Sequence, residues 1–154
     1  MWAQLDEESV IRANAQFWEQ MLAMKLEPIA NVTEFCLSPG HFLGRVHLSG
    51  DWCGLIEVRL AEQLALSATA AMLMQSADTV AQSDTLDATK EIANMIAGSI
   101  KSSLPRPCTM TVPESAVELT GFCGLPRTQD TLALGFHHAD GDLVVRIWEQ
   151  ECLQ

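Results

Sequence analysis

The stretch Asp87-Ala88-Thr89-Lys90-Glu91-Ile92-Ala93-Asn94-Met95-Ile96-Ala97-Gly98 carries the reading of this chain. Its isoleucines, with Ile100 beyond them, recur every fourth residue, which is helical spacing. At about 100° per residue, Glu91, Asn94, Gly98 and Lys101 all fall within about 40° of Asp87. Ile92, Ile96, Ile100 and Ser103 fall on the opposite side. The core therefore holds the back of the helix. The front offers a carboxylate, a carboxamide one turn away, and a glycine that lets another backbone come close. Polar residues opposite an apolar stripe are what any surface helix has. Asn94 and Gly98 are nonetheless odd choices there. Asn is a mediocre mid-helix residue, and Gly is about 1 kcal/mol worse than Ala. Two weak helix formers on one exposed stripe suggest that it is kept for something besides folding.

Asp87 has a structural reading of its own. Ser83 and Asp84 precede the helix and can cap it. With Asp84 as N-cap, Asp87 stands at the third position and reaches back as in a capping box. An acid in the first turn also suits the helix dipole.

Outward from this helix, placed over residues 85–103, the pattern alternates. Asp6 can cap an amphipathic helix to about Leu26, with Ile11, Ala15, Trp18, Met21 and Leu22 as its apolar stripe. Residues 29–37, 42–48 and 55–60 read as strands, with Ser49-Gly50-Asp51 between the last two. Residues 61–75 read as a helix, because Leu64, Ala68, Ala71 and Met72 recur at helical spacing. Residues 76–83 are polar and read as a loop. Residues 116–122, 131–137 and 143–148 read as strands, the last two joined by a hairpin turn at Asp140-Gly141. Strand runs flanked by helices predict an α+β fold, a mainly antiparallel sheet with long helices packed on it.

At 154 residues, one domain spanning 1–154 is expected. Hydrophobic residues make up 48% and charged residues 19%, which argues against a disordered chain. The net charge of -11 argues against nucleic acid and anionic membranes as partners. The first eight residues have neither a basic start nor an apolar run, so no signal peptide is expected. The longest nearly apolar stretch, residues 65–74, is far short of the roughly 20 residues that span a bilayer. A cytoplasmic location follows. Cys36, Cys53, Cys108, Cys123 and Cys152 show no Cys-x-x-Cys spacing and are odd in number, which suggests free, mostly buried thiols. His137-His138 would diverge on a strand, so no metal site is expected there.

The segment running Asp87-x-x-x-Glu91-x-x-Asn94 into Met95-Ile96-Ala97-Gly98 resembles the signature of the CheC/CheX/FliY chemotaxis phosphatases. Upstream, Gly44 to Gly50 and Gly54 to Leu60 resemble the family's paired strands, and the likeness covers residues 28 to 149. CheC-type members carry two Glu-x-x-Asn copies; one is found here, so the chain resembles CheX more. The resemblance implies a CheX/CheC-like α+β fold. It also implies a phosphatase that removes the aspartyl phosphate of a CheY-type response regulator. Asn94 would position the attacking water, and Glu91 would dock the regulator's lysine. Asp87 and Gly98 would be accessory on the same face. No cofactor or metal of its own is implied, since the regulator brings Mg²⁺. A homodimer is implied as well, joined through strands or the final hairpin. The family's proline has Pro113 as its candidate, eighteen residues separating it from Asn94. That is shorter than the family pattern, so either the connection is shortened or this proline is not equivalent. Two other roles fit the same face: a silent adaptor that binds a response regulator, and a structural part of a flagellar switch.

Overall fold

The computed structural model describes residues 6–30, 35–104, 107–123 and 131–150. Three helices lie on one face of a seven-stranded antiparallel sheet. In chain order the strands are β1 (Glu27–Ile29), β2 (Cys36–Leu37), β3 (Phe42–Gly50), β4 (Gly54–Leu60), β5 (Cys108–Met110), β6 (Glu114–Val117), β7 (Phe122–Cys123), β8 (Thr131–His138) and β9 (Gly141–Glu149). The sheet runs β1-β8-β9-β4-β3-β5, and β6 also pairs with β3. Strands β2 and β7 form a separate two-stranded ribbon. The helices are α1 (Glu7–Leu22), α2 (Glu62–Leu73) and α3 (Gln82–Ser102), with a single 3-10 turn at Ala77–Thr79 before α3. Among the described residues, no helix is long and apolar enough to cross a membrane.

The period-two alternation of the strands decides which face the helices cover. Val46, Ile56, Val58, Val145 and Ile147 point one way and pack with Trp18 of α1, Leu64 and Ala68 of α2, and Ile92, Ile96 and Ile100 of α3. All of these side chains are buried. The closest approach is between α3 and β3. A Cβ built on Gly44 would lie 2.8 Å from the Ala93 Cβ and 3.1 Å from the Thr89 carbonyl oxygen. No side chain fits between strand and helix at that point.

The opposite face of the sheet carries a buried charged cluster. Glu57 is buried at 1% exposure, and Arg59 and Arg146 beside it, at 8% and 7%, are buried as well. Arg146 donates to the Glu57 carboxylate from Nε at 3.1 Å and from Nη2 at 2.6 Å, and Arg59 donates to the same oxygen. The Phe122 ring of the ribbon covers both guanidinium groups, at 4.6 Å from Arg59 and 4.8 Å from Arg146. Trp148 flanks Arg146 at 4.3 Å. Burial lowers the pKa of Arg146, and the Glu57 carboxylate opposes that shift. Phe35 and Leu37 pack on Ala133 and Val144 and complete this second layer.

Several expectations need correction. On α1 the buried residues are Val10, Asn14, Trp18 and Leu22, while Met21 is 63% exposed. Asp6 does cap this helix, its carboxylate accepting from the Ser9 amide at 3.3 Å, but the helix stops at Ala23, which is left-handed at φ 53°. The strand expected over 29–37 is divided into β1 and β2, and residues 31–34 lie outside the described ones. The strand expected over 116–122 is divided into β6 and β7, and β5 was not anticipated. The final hairpin turns one residue earlier than expected, at Ala139-Asp140, with His138 paired to Gly141. Gly141 has φ 135°, and a Cβ there would lie 2.5 Å from Ala61. The cysteines are not uniformly buried and free. Cys108 is buried, Cys36 and Cys123 are free but exposed, and Cys53 is disulfide-bonded.

Gly44→Ala should therefore push α3 off the sheet. The expected loss is about 2 kcal/mol or more, typical of overpacking in a close-packed interior. Urea unfolding of the variant against the parent measures it, and an unchanged midpoint would refute the tight seat.

Candidate functional site

Helix α3 begins one turn before the expected start, at Gln82, with Ala81 as N-cap and no side-chain cap. The reason is that Thr85 is fully buried and belongs to the packed side. Its hydroxyl donates to the Ala81 carbonyl at 3.4 Å, and that of buried Thr89 donates to Thr85 at 2.7 Å. Bonding back along the helix satisfies both hydroxyls without a partner elsewhere. Asp87 is consequently the sixth residue of the helix, not the third, so the capping-box reading is overturned. Its side chain is exposed and is left for the outer stripe.

The opposition of the two helix sides is as the spacing required. Ile92, Ile96 and Ile100 are buried, together with Ala93 and Ala97 between them. Glu91 is exposed, and Asn94 and Gly98 are half-buried. Glu91 and Asn94 are about 4.5 Å apart along the helix axis, from three residues at about 1.5 Å each. Neither side chain makes a hydrogen bond or ion pair among the described residues. A Cβ at Gly98 would meet nothing within 4 Å, so packing within this chain does not call for a glycine there.

The stripe lies between two shallow grooves. On one flank, Met72 and Leu73 of α2 border Asp84, Asp87 and Ala88. On the other, Phe17 and Met21 of α1 border Met95 and Ser99. Both are open to solvent, so the site is a ridge with apolar shoulders and not a pocket. Such a shape suits a protein surface better than a small molecule. Two carboxylates, a carboxamide and a bare stretch of backbone can dock a cation and orient a water. Among the described residues, no group of three His, Cys, Asp or Glu side chains is arranged to hold a metal ion. His137 pairs with Asp142, at 2.5 Å from its Oδ1, and His138 accepts from the Asp140 amide at 2.9 Å, so the two rings serve different partners.

Pro113 lies elsewhere. It sits in the link between β5 and β6, on strands that border β3, and is not on the α3 stripe. The nearby β6 is tied to α3 by the Ser115 hydroxyl, which donates to the Leu86 carbonyl at 2.8 Å.

Three helices packed on a mainly antiparallel sheet of this order match the fold of CheX/CheC-like proteins. CheX from Vibrio vulnificus superposes with a TM-score of 0.72 at 18% identity, over 94% of this chain and 95% of that one. A CheC-like superfamily protein from Shewanella sp. PV-4 gives 0.74 at 18% identity, over 94% and 96%. A chain of the CheX–CheY–BeF3–Mg²⁺ complex from Borrelia burgdorferi gives 0.63 at 18% identity, over 94% and 97%. No curated protein sequence matches the chain. Residues 42–121, just over half of the chain, match the family described as chemotaxis phosphatase CheX. The protein belongs to the CheX family.

Gly98→Ala should stabilise the folded protein by roughly 0.5–1 kcal/mol, because the methyl group enters open space and a helix prefers alanine. A higher urea midpoint than the parent's is the expected result; a lower one would mean that this position is packed.

Proposed function

We propose that the protein removes the phosphoryl group from the aspartyl phosphate of a CheY-type response regulator. Family membership supports a chemotaxis phosphatase, and one structural neighbour comes from a complex of CheX with CheY. The observation that carries the reading is the pair Glu91 and Asn94. They stand side by side on an accessible ridge, without hydrogen-bond or ion-pair partners among the described residues, on a helix fixed from behind by three buried isoleucines.

An acyl phosphate is already activated, and the regulator brings its own Mg²⁺ and lysine. What is missing is a water held in line behind phosphorus. Positioning dominates catalysis of phosphoryl transfer, and a carboxamide can supply it because it both donates and accepts. Asn94 accepts a hydrogen bond from that water and orients it. Glu91 pairs with the regulator's lysine and fixes the docking. Asp87, a turn further back, adds negative charge to the docking stripe, and Gly98 leaves room for the partner's backbone. No nucleophile or metal of this chain takes part, and Pro113 has no role in the scheme. The reaction places the protein in the cytoplasm, where response regulators are phosphorylated.

Self-association completes the reading. The final hairpin is only partly covered: β9 is paired along its length with β4, whereas β1 pairs with β8 at residues 135–137 only. The edge at β6 is the better candidate: Val112 and Leu119 flank it at 84% and 81% exposure. Sheet edges of this kind are commonly covered or paired. A homodimer through this edge leaves the ridge on α3 accessible. Light scattering at micromolar concentration should give twice the 16.9 kDa chain mass, and a monomer mass would reject the dimer.

Asn94→Ala should leave binding to the phosphorylated regulator intact and slow turnover on the order of a hundredfold, the signature of an interaction made only in the transition state. Glu91→Ala should weaken binding as well, through loss of a charge pair across the interface. Both variants should melt within about 0.5 kcal/mol of the parent, as surface changes do. Lys90→Ala is the control. Thr89, which also lies off the stripe, does not serve, since it is buried under the helix. The measurement is the decay of phosphorylated regulator with each variant. If Asn94→Ala accelerates decay as well as the parent does, Asn94 is not the catalytic group and the protein is a regulator-binding adaptor.

A further inference from the structure

Cys36 and Cys123 sit on the β2–β7 ribbon, on the sheet face away from α3. They are directly opposite each other in the antiparallel register. Directly opposed residues in such a pair have Cα atoms about 4.5 or 5.5 Å apart, and both spacings lie within the range that disulfides span. The two Sγ atoms are 2.7 Å apart. That is closer than unbonded sulfurs rest and longer than the roughly 2.05 Å of a formed bond. Both side chains are exposed, so a dissolved oxidant can reach them, whereas the third free thiol, Cys108, is buried.

We propose that Cys36 and Cys123 form a reversible oxidation site, closing an intramolecular disulfide when the protein meets a low-molecular-weight disulfide such as oxidised glutathione. In the first step one thiolate attacks a glutathione sulfur, forming a mixed disulfide and releasing one glutathione thiolate. In the second, the neighbouring cysteine attacks its partner's sulfur and releases the other. Two thiols of the chain are oxidised, one glutathione disulfide is reduced to two thiols, and the two protons pass to solvent or to the leaving thiolates.

The bond would act on a part of the fold that is otherwise lightly held. A two-stranded ribbon is marginal alone. This one is kept in place by Leu37 on Val144 and Ala133, and by Phe122 over the guanidinium groups of Arg59 and Arg146. It is the cover over buried Glu57. Joining residues 87 apart in sequence would lock that cover shut, because each strand of the ribbon comes from a distant part of the chain. The site faces away from Glu91 and Asn94 and does not depend on the phosphatase reading.

The test treats the purified protein with oxidised glutathione, blocks remaining thiols by alkylation, and digests it with trypsin and Glu-C. Cleavage after Glu114 and Glu118 separates Cys108 from Cys123. The expected product is a peptide containing Cys36 linked to one containing Cys123, lighter by two hydrogens than their sum, with Cys108 alkylated. Oxidation should also raise the melting temperature by roughly 5–10 °C, as expected for a disulfide closing a long loop in a domain of this size. Neither effect should occur in Cys36→Ser or Cys123→Ser. Recovery of both cysteines alkylated, or of stable glutathione adducts on them, would overturn the proposal.

Discussion

The placement of the candidate site depends on the contact between Gly44 of β3 and Ala93 of α3. Helix and strand approach so closely there that a single added methyl group would overlap the helix. The contact sets the rotation of α3 about its own axis. Ile92, Ile96 and Ile100 then have only one way to face, into the sheet, and Glu91 and Asn94 are turned outward as a consequence. The site is thus positioned from behind. None of its own groups has to be spent on holding it, and neither side chain has a hydrogen-bond or ion-pair partner among the described residues.

The two faces of the sheet solve different problems. Under the helices the packing is apolar and requires only complementary shape. Under the ribbon, three arginines surround one glutamate, with Arg45 Nε 4.0 Å from the carboxylate and the other two guanidiniums donating directly. A buried carboxylate is tolerable only where charge and hydrogen bonds answer it. Here Glu57 is answered from both neighbouring strands, and aromatic rings close over the arginines. Such a cluster adds little net stability compared with an apolar core, but removing Glu57 would leave the buried guanidinium groups of Arg59 and Arg146 without the carboxylate they share. The arrangement fixes the register of β4 against β9, where Glu57 faces Arg146.

How much of this could be read in the sequence follows from how regular each signal is. The back of α3 was legible because four-residue isoleucine spacing is hard to mistake. So were β3, β4, β8 and β9, whose alternation runs for seven residues or more. The stripe of α1 was misplaced because Asn14 is buried among Val10, Trp18 and Leu22, and a polar residue in the core disguises the pattern. Strand β5 was missed because three residues, Cys108–Met110, are too few to show a period. The charged cluster went unread for a related reason. Arg45, Glu57 and Arg59 alternate with apolar residues as a solvated strand face would, and nothing nearby in the sequence announces that residues 122–123 fold over them. The ridge itself was legible as geometry. Its chemistry came from the resemblance to the chemotaxis phosphatases.

The order of the strands also constrains when the protein can assemble on the ribosome. Hairpin β3–β4 and the pair α2 and α3 join neighbours in sequence and can form early. Strand β9, however, lies between β4 and β8, and β1 takes its strand partner from β8. Helix α1 and β1 are therefore made first and wait longest for their partners. The sheet closes only when residues up to 149 have cleared the exit tunnel. Until then, the apolar underside of β4 is half covered, and nascent chains are exposed to aggregation for most of their synthesis. The ridge that carries Glu91 and Asn94 is complete in sequence well before the platform beneath it, so a truncated chain would display the motif without the rigidity that gives it meaning.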